Sequence, residues 1–210
     1  MITLSAWLRR YVEPCTAAEG LTRKGLTFRL TAANGDCAVL EFQEFRVDPA
    51  RTVFEVRVAV VPATAWAWTY RAAERPPLPS GAGALIDWRV PPPEHVAWAP
   101  GEAACEAMWA YGGPVHLHHT GEELVELLRT ETVPAMRRLL DRRALEAELE
   151  HPGFAFSSRR PPGWARVLLR VDDASPAELE GLLAEVETHY PVVDEFVAWA
   201  RERAGNRPRI

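Results

Sequence analysis

Three consecutive segments in the first third of the chain alternate apolar and polar side chains with a period of two, and this constrains the fold more than any other feature. Leu26, Phe28 and Leu30 interleave with Thr27, Arg29 and Thr31. Ala38, Leu40 and Phe42 interleave with Val39, Glu41 and Gln43, and Phe54, Val56, Val58 and Val60 with Glu55, Arg57 and Ala59. A period of two sends successive side chains to opposite faces, so each segment reads as a strand with one side toward a core. Between the first two stands Ala33-Asn34-Gly35-Asp36. An Asn-Gly pair accepts the positive φ that a tight hairpin turn demands. The expectation is an antiparallel meander over 26–31, 37–44 and 53–60, with Arg29, Glu41, Gln43, Glu55 and Arg57 on its polar side.

Helical spacing surrounds this meander. Leu4, Trp7, Leu8, Tyr11, Val12 and Cys15 form an i, i+3, i+4, i+7, i+8, i+11 stripe, so a first helix should lie across the apolar face, with Pro14 kinking it and Gly20 stopping it. Thr120-Gly121-Glu122-Glu123 has the order of a capping box ahead of Leu124, Leu127 and Leu128. A further helix after Pro134 presents Met136, Leu139, Leu140, Leu145 and Leu149 and should end at His151-Pro152-Gly153. Ser175-Pro176-Ala177-Glu178 combines a cap hydroxyl, a proline in the first turn and an N3 carboxylate. A last helix runs from Pro191 to Ala204. Segments 84–90 and 164–171 alternate like strands. Strands early and helices late read as α+β, an antiparallel sheet of four to six strands with helices packed mainly on one face. A length of 210 residues suits one domain over 1–205 with a loose tail at 206–210. Residues 61–114 carry nine of the eighteen prolines and five of the eight tryptophans, and read as an insertion in that domain.

The stretch Glu13-Pro14-Cys15, Gly20-Leu21-Thr22-Arg23-Lys24-Gly25-Leu26-Thr27-Phe28, followed later by Phe42-Gln43, resembles a group of bacterial domains of unknown function. In that group a Pro-containing helix leads to Gly-Phe, a basic pair, a Gly and an aromatic-led strand. Leu21 stands where the group has Phe, and the resemblance covers about the first third of the chain. It implies the helix-then-meander fold and carries no activity with it.

Composition excludes several function classes. A net charge of −5 offers no general attraction to nucleic acid or anionic membranes. The Arg137-Arg138 and Arg142-Arg143 pairs sit among Asp141, Glu146, Glu148 and Glu150, whereas phosphate binding needs unopposed positive charge. No apolar run approaches the roughly 20 residues a membrane span requires. Cys15, Cys37 and Cys105 are odd in number and scattered, which fits reduced thiols and a cytoplasmic protein. There is no Gly-x-Ser-x-Gly elbow, and Gly81-Ala82-Gly83 lacks the lysine of a phosphate loop, so no cofactor and no catalytic group are expected.

Two clusters remain as candidate sites. In His116-Leu117-His118-His119, an extended backbone would place His116 and His118 on the same side, where two imidazoles can share a metal. A third ligand would come from His119, His95, Cys105 or a glutamate such as Glu122; the competing reading is a polar strand end beside the Thr120 cap. The second candidate is a recognition surface made of Arg29, Gln43 and Arg57 on the polar side of the meander. Trp66 and Trp68 would join it, since they would share a face if extended. The competing readings are a solvated sheet face and indoles that plug the core. The functional expectation is a non-catalytic protein-recognition module of the immunity or inhibitor type. The alternative is an enzyme or binding protein for a small anionic ligand, metal-assisted through His116 and His118.

Overall fold

The computed structural model describes residues 2–46, 50–98, 107–150, 157–158 and 160–206. Cys105, the His151-Pro152-Gly153 helix end and tail residues 207–210 lie outside them. The fold is α+β with an antiparallel sheet. Its strands are β1 (Thr22–Lys24), β2 (Thr27–Thr31), β3 (Cys37–Phe45), β4 (Thr52–Val61), β5 (Ile86–Arg89), β6 (Ala97–Trp98), β7 (Met108–Tyr111) and β8 (Ser157–Ser158). The order is β1-β2-β3-β4-β5-β8, with β7 pairing both β4 and β6. The excess over the expected four to six strands comes from short ones: β1 has three residues and β6 and β8 two each, too few for a period of two to register. The helices are α1 (Leu4–Ala18), α2 (Ala63–Thr69), α3 (Gly113–Leu127), α4 (Val133–Leu139), α5 (Arg142–Glu150), α6 (Pro162–Arg170), α7 (Pro176–Ala184) and α8 (Val193–Gly205). Among the described residues, no helix is long and apolar enough to cross a membrane.

The chain divides into two compact units. The first comprises Met1–Thr31, Ala38–Val58 and Trp88–Arg138; the second comprises Ala32–Cys37, Ala59–Asp87 and Leu139–Ile210. The Trp- and Pro-rich 61–114 stretch is therefore split, with residues up to Asp87 in the second unit and the rest in the first.

In the first unit, α1 buries Leu4, Trp7, Leu8 and Val12 completely, the stripe its spacing dictates. Its Trp7 ring meets Phe54 at 5.4 Å and stacks on Tyr111 at 5.0 Å. Phe28, Phe42 and Phe54 continue the aromatic layer on the apolar side of the meander. The opposite side is exposed at Gln43 and Arg57 and half-covered at Arg29 and Glu41. It is closed elsewhere: Val39 and Val53 are buried, and so is Glu55, which accepts from Arg57 and Arg89. Strand β7 pairs β4 through Thr52, Val53 and Phe54. Helix α3 starts at Gly113, with Pro114 in its first turn, so the expected cap at Thr120 is corrected. Thr120 is buried in mid-helix and its hydroxyl donates to the Ala110 carbonyl at 3.0 Å. A π-helical segment, Leu128–Thr132, carries α3 on into α4.

In the second unit, the turn at Gly35 has φ 84°, the conformation its Asn-Gly sequence prepares. Segment 164–171 is helix α6 rather than the expected strand. Trp164, Val167, Leu168 and Val171 are buried at i, i+3, i+4 and i+7, and that stripe outweighs the weaker alternation. Trp164 stacks on Phe196 of α8 at 4.2 Å, and Trp68 meets Phe196 edge-on at 5.0 Å.

Candidate functional site

The helical conformation of 113–127 rearranges the histidine cluster. Two residues apart on a helix are about 200° apart around the axis, so His116 and His118 do not share a face. His118 instead places Nε2 3.1 Å from Glu122 Oε1, an exposed i,i+4 pair, and lies beside the Tyr11 ring. His116 is exposed. The pair expected to bind metal is therefore separated, because the expectation required an extended backbone.

The helix joins a different set. His119 and Glu123 lie one turn apart and project from the same face. His95 reaches them from the 3₁₀ turn Glu94–Val96. Its Nε2 is 3.2 Å from Glu123 Oε1, and its ring centroid is 5.1 Å from that of His119. One ligand atom from each of the three lies within 4.8 Å of the others.

Local sequence and strand β7 explain how these side chains meet. Pro91-Pro92-Pro93 stiffens the approach to the turn, and Pro93 caps it with φ −57° and ψ 150°. Val96 is buried and anchors the turn from beneath. Directly after it, Ala97 pairs with Trp109 of β7. From the other side, Thr120 hangs α3 on Ala110 of the same strand. Both ligand-bearing elements thus hang on neighbouring residues of β7, whose Trp109 is itself fixed by donating from Nε1 to the Val90 carbonyl at 2.7 Å.

Two imidazoles and a carboxylate form a donor set suited to zinc-class ions. With bonds of about 2.0 Å, tetrahedral ligand atoms stand about 3.3 Å apart, which the His95–Glu123 separation matches. His95 is 54% and Glu123 33% exposed at the side chain, so the trio opens to solvent. His119 and His95 are among the third ligands expected from sequence, and the glutamate that joins them is Glu123 in place of Glu122. The sequence signal for His119 and Glu123 is Pro114 as a helix start with their i,i+4 spacing; none exists for His95, which the fold brings in from another element.

The remaining sequence candidates separate in the same way. Gln43 and Arg57 together line a groove of 360 Å³ with Leu26, Thr27, Glu41 and Glu44, and Arg29 does not border it. Trp66 and Trp68 lie in α2 and are buried, so the aromatic surface expected of an extended segment does not form. Of the cysteines, Cys37 is buried, and burial together with Glu19 pushes the Cys15 thiol above its ordinary value. That direction is opposite to the lowered pKa of an activated nucleophile. Comparison of the chain with protein-family models, curated proteins and solved structures finds no match in any of the three.

Proposed function

We propose that this protein binds a divalent transition-metal ion of the zinc class through His95, His119 and Glu123, and that the ion presents an open position to a small anionic ligand. The observation that carries the reading is the convergence of His95 from a proline-braced turn onto a helix face bearing His119 and Glu123, with Nε2 and Oε1 at 3.2 Å. Three protein ligands leave a fourth position for water or for an oxygen of the bound anion. Among divalent ions the order of affinity favours copper over zinc and zinc over manganese.

Calorimetric titration with zinc chloride tests the reading, supported by the visible absorption of the cobalt(II) form. His119→Ala and Glu123→Gln should each weaken binding by about tenfold or more, as loss of one of three ligands implies. The double variant His116→Ala, His118→Ala should bind as the parent does. Absence of a zinc heat, or loss of binding on removing His116 and His118 instead, ends the proposal.

A second reading is favoured by the groove that keeps Gln43 and Arg57 exposed beside Glu41 and Glu44. On this reading the protein is a cytoplasmic, bacterial recognition protein of the immunity or inhibitor type, contacting another protein through that polar sheet face. A tagged chain should retain a stoichiometric partner from native lysate and lose it on Arg57→Glu with Gln43→Ala. Retention of no partner, or of one indifferent to both changes, counts against it.

A further inference from the structure

A cavity of 540 Å³ lies against α1 and the start of α3, lined by Ile2, Arg10, Tyr11, Tyr111, Leu117 and His118 with the Gly112-Gly113 backbone. The metal trio takes no part in it: none of His95, His119 and Glu123 borders the space. Its size falls within the range of about 300–1,000 Å³ typical of small-molecule sites. We propose that this cavity binds a small aromatic carboxylate, with the ring against Tyr11 and the carboxylate on Arg10.

Tyr11 supplies the ring surface of the wall, backed by the buried rings of Trp7 and Tyr111. Tyr11 and Tyr111 both pack against Trp7, with centroids at 5.5 and 5.0 Å, and Trp7 is pinned by its Nε1 donating to the Leu117 carbonyl at 2.9 Å. Three aromatic rings are thereby held in place before any ligand arrives, which limits the entropy lost on binding. Tyr111 is fixed further by its hydroxyl, which donates to the Ile2 carbonyl at 3.4 Å. Ile2 and Leu117 complete the apolar surface. At Gly113 a side chain is absent, and a Cβ there would meet nothing within 4 Å, so the mouth stays open.

The charge is on one side. Arg10 is exposed, its guanidinium stands 5.2 Å from the Tyr11 centroid, and it has no carboxylate partner among the described residues. The other basic group on the wall, His118, is already beside Glu122. An aromatic acid answers both features at once: its carboxylate takes the two-pronged contact that a guanidinium offers, and its ring meets Tyr11 by offset or edge contact. The net charge of −5 gives anions no general attraction to this protein, so binding would report the local arrangement.

Calorimetric titration of the full chain with benzoate, 4-hydroxybenzoate and cinnamate, each compared with its neutral amide, is the test. At least one acid should bind saturably at millimolar concentration or below, with the amide about tenfold weaker or more. Arg10→Glu, at an exposed position, should weaken the acid by about tenfold or more and leave the amide unchanged. Leu117→Trp, which fills the cavity, should abolish both. Failure of all three acids to bind at millimolar concentration overturns the proposal, as does binding indifferent to Arg10→Glu and Leu117→Trp. Equal affinity for acid and amide overturns the anionic assignment. Zinc titration of the same variants should match the parent, which separates this site from the metal trio.

Discussion

Arg142 and Asp36, 106 positions apart in the chain, are joined by two parallel hydrogen bonds, Nε to Oδ2 at 2.8 Å and Nη2 to Oδ1 at 2.9 Å. Asp36 is 1% exposed, and it also accepts from the Ala63 N–H at 2.9 Å and the Asn34 amide at 2.8 Å. One carboxylate therefore ties the Asn-Gly turn, the first turn of α2 and the start of α5. Bonding to Asp36 holds the Arg142 guanidinium above its ordinary value despite burial. Removing one member of a buried pair strands the other, so Asp36→Ala should lower stability by about 3–5 kcal/mol in urea unfolding. Arg142→Lys should recover little of that, because an ammonium cannot reproduce the two-pronged contact.

Gly121 lies under Tyr11: a Cβ at this position would stand 2.7 Å from the Tyr11 ring. Alanine in place of a mid-helix glycine gains about 0.5–1 kcal/mol in propensity, whereas overpacking costs about 1–3 kcal/mol. The clash should win, and Gly121→Ala should lower the Tm. An increase in Tm would show that α1 yields at this contact.

Trp68 is 2% exposed and packs on Phe196, with the Arg71 guanidinium 3.6 Å over its ring. Trp68→Ala should destabilise by about 3–5 kcal/mol, the effect of a core aromatic and not of a surface contact. A variant with unchanged unfolding midpoint would return Trp68 to the surface role its sequence spacing first suggested.

Three exposed carboxylates should sensitise the second unit to acid. The Ser175 backbone N–H holds Glu178 below the ordinary 4.5, and Arg201 and Arg71 do the same for Glu180 and Glu195. A folded pKa below the unfolded one means that the unfolded chain binds more protons. The stabilisation is therefore complete above about pH 4.5 and is lost as pH falls through the lowered values. Melting curves at successive pH values should show this loss, and Glu180→Gln with Glu195→Gln should flatten it.

Tyr111 gives the opposite limb. Burial, against a lowering bond to Thr52, pushes its phenol up to about 12 from an ordinary 10.0. A raised folded pKa means that the folded state holds the proton longer, so stability is intact below pH 10 and falls as pH rises toward 12. Tyr111→Phe should remove that part of the alkaline loss, and an ultraviolet titration should lose its latest-ionising tyrosine.

The strands at the front of the chain were readable because Phe28, Phe42 and Val56 stand between polar neighbours, and Gln43 and Arg57 are exposed as that alternation requires. Segment 164–171 misled because Ala165, Val167 and Leu169 alternate as a strand would, while Trp164, Val167, Leu168 and Val171 carry the stronger helical stripe and are buried as such. The histidines misled for a different reason: Thr120-Gly121-Glu122-Glu123 looks like a cap, yet the helix opens at Gly113-Pro114, about two turns earlier.

Local chemistry alone settled the front meander 26–31, 37–44 and 53–60 and the helix start at Ser175-Pro176, since each depends on neighbours a few residues apart. The convergence of His95 on Glu123, the grip of Arg142 on Asp36 and the cavity beside Arg10 depend on which segments β7, the Asn-Gly turn and Trp7 bring side by side. Those juxtapositions join residues far apart in the chain, and a spacing rule reaches only as far as one element of secondary structure extends.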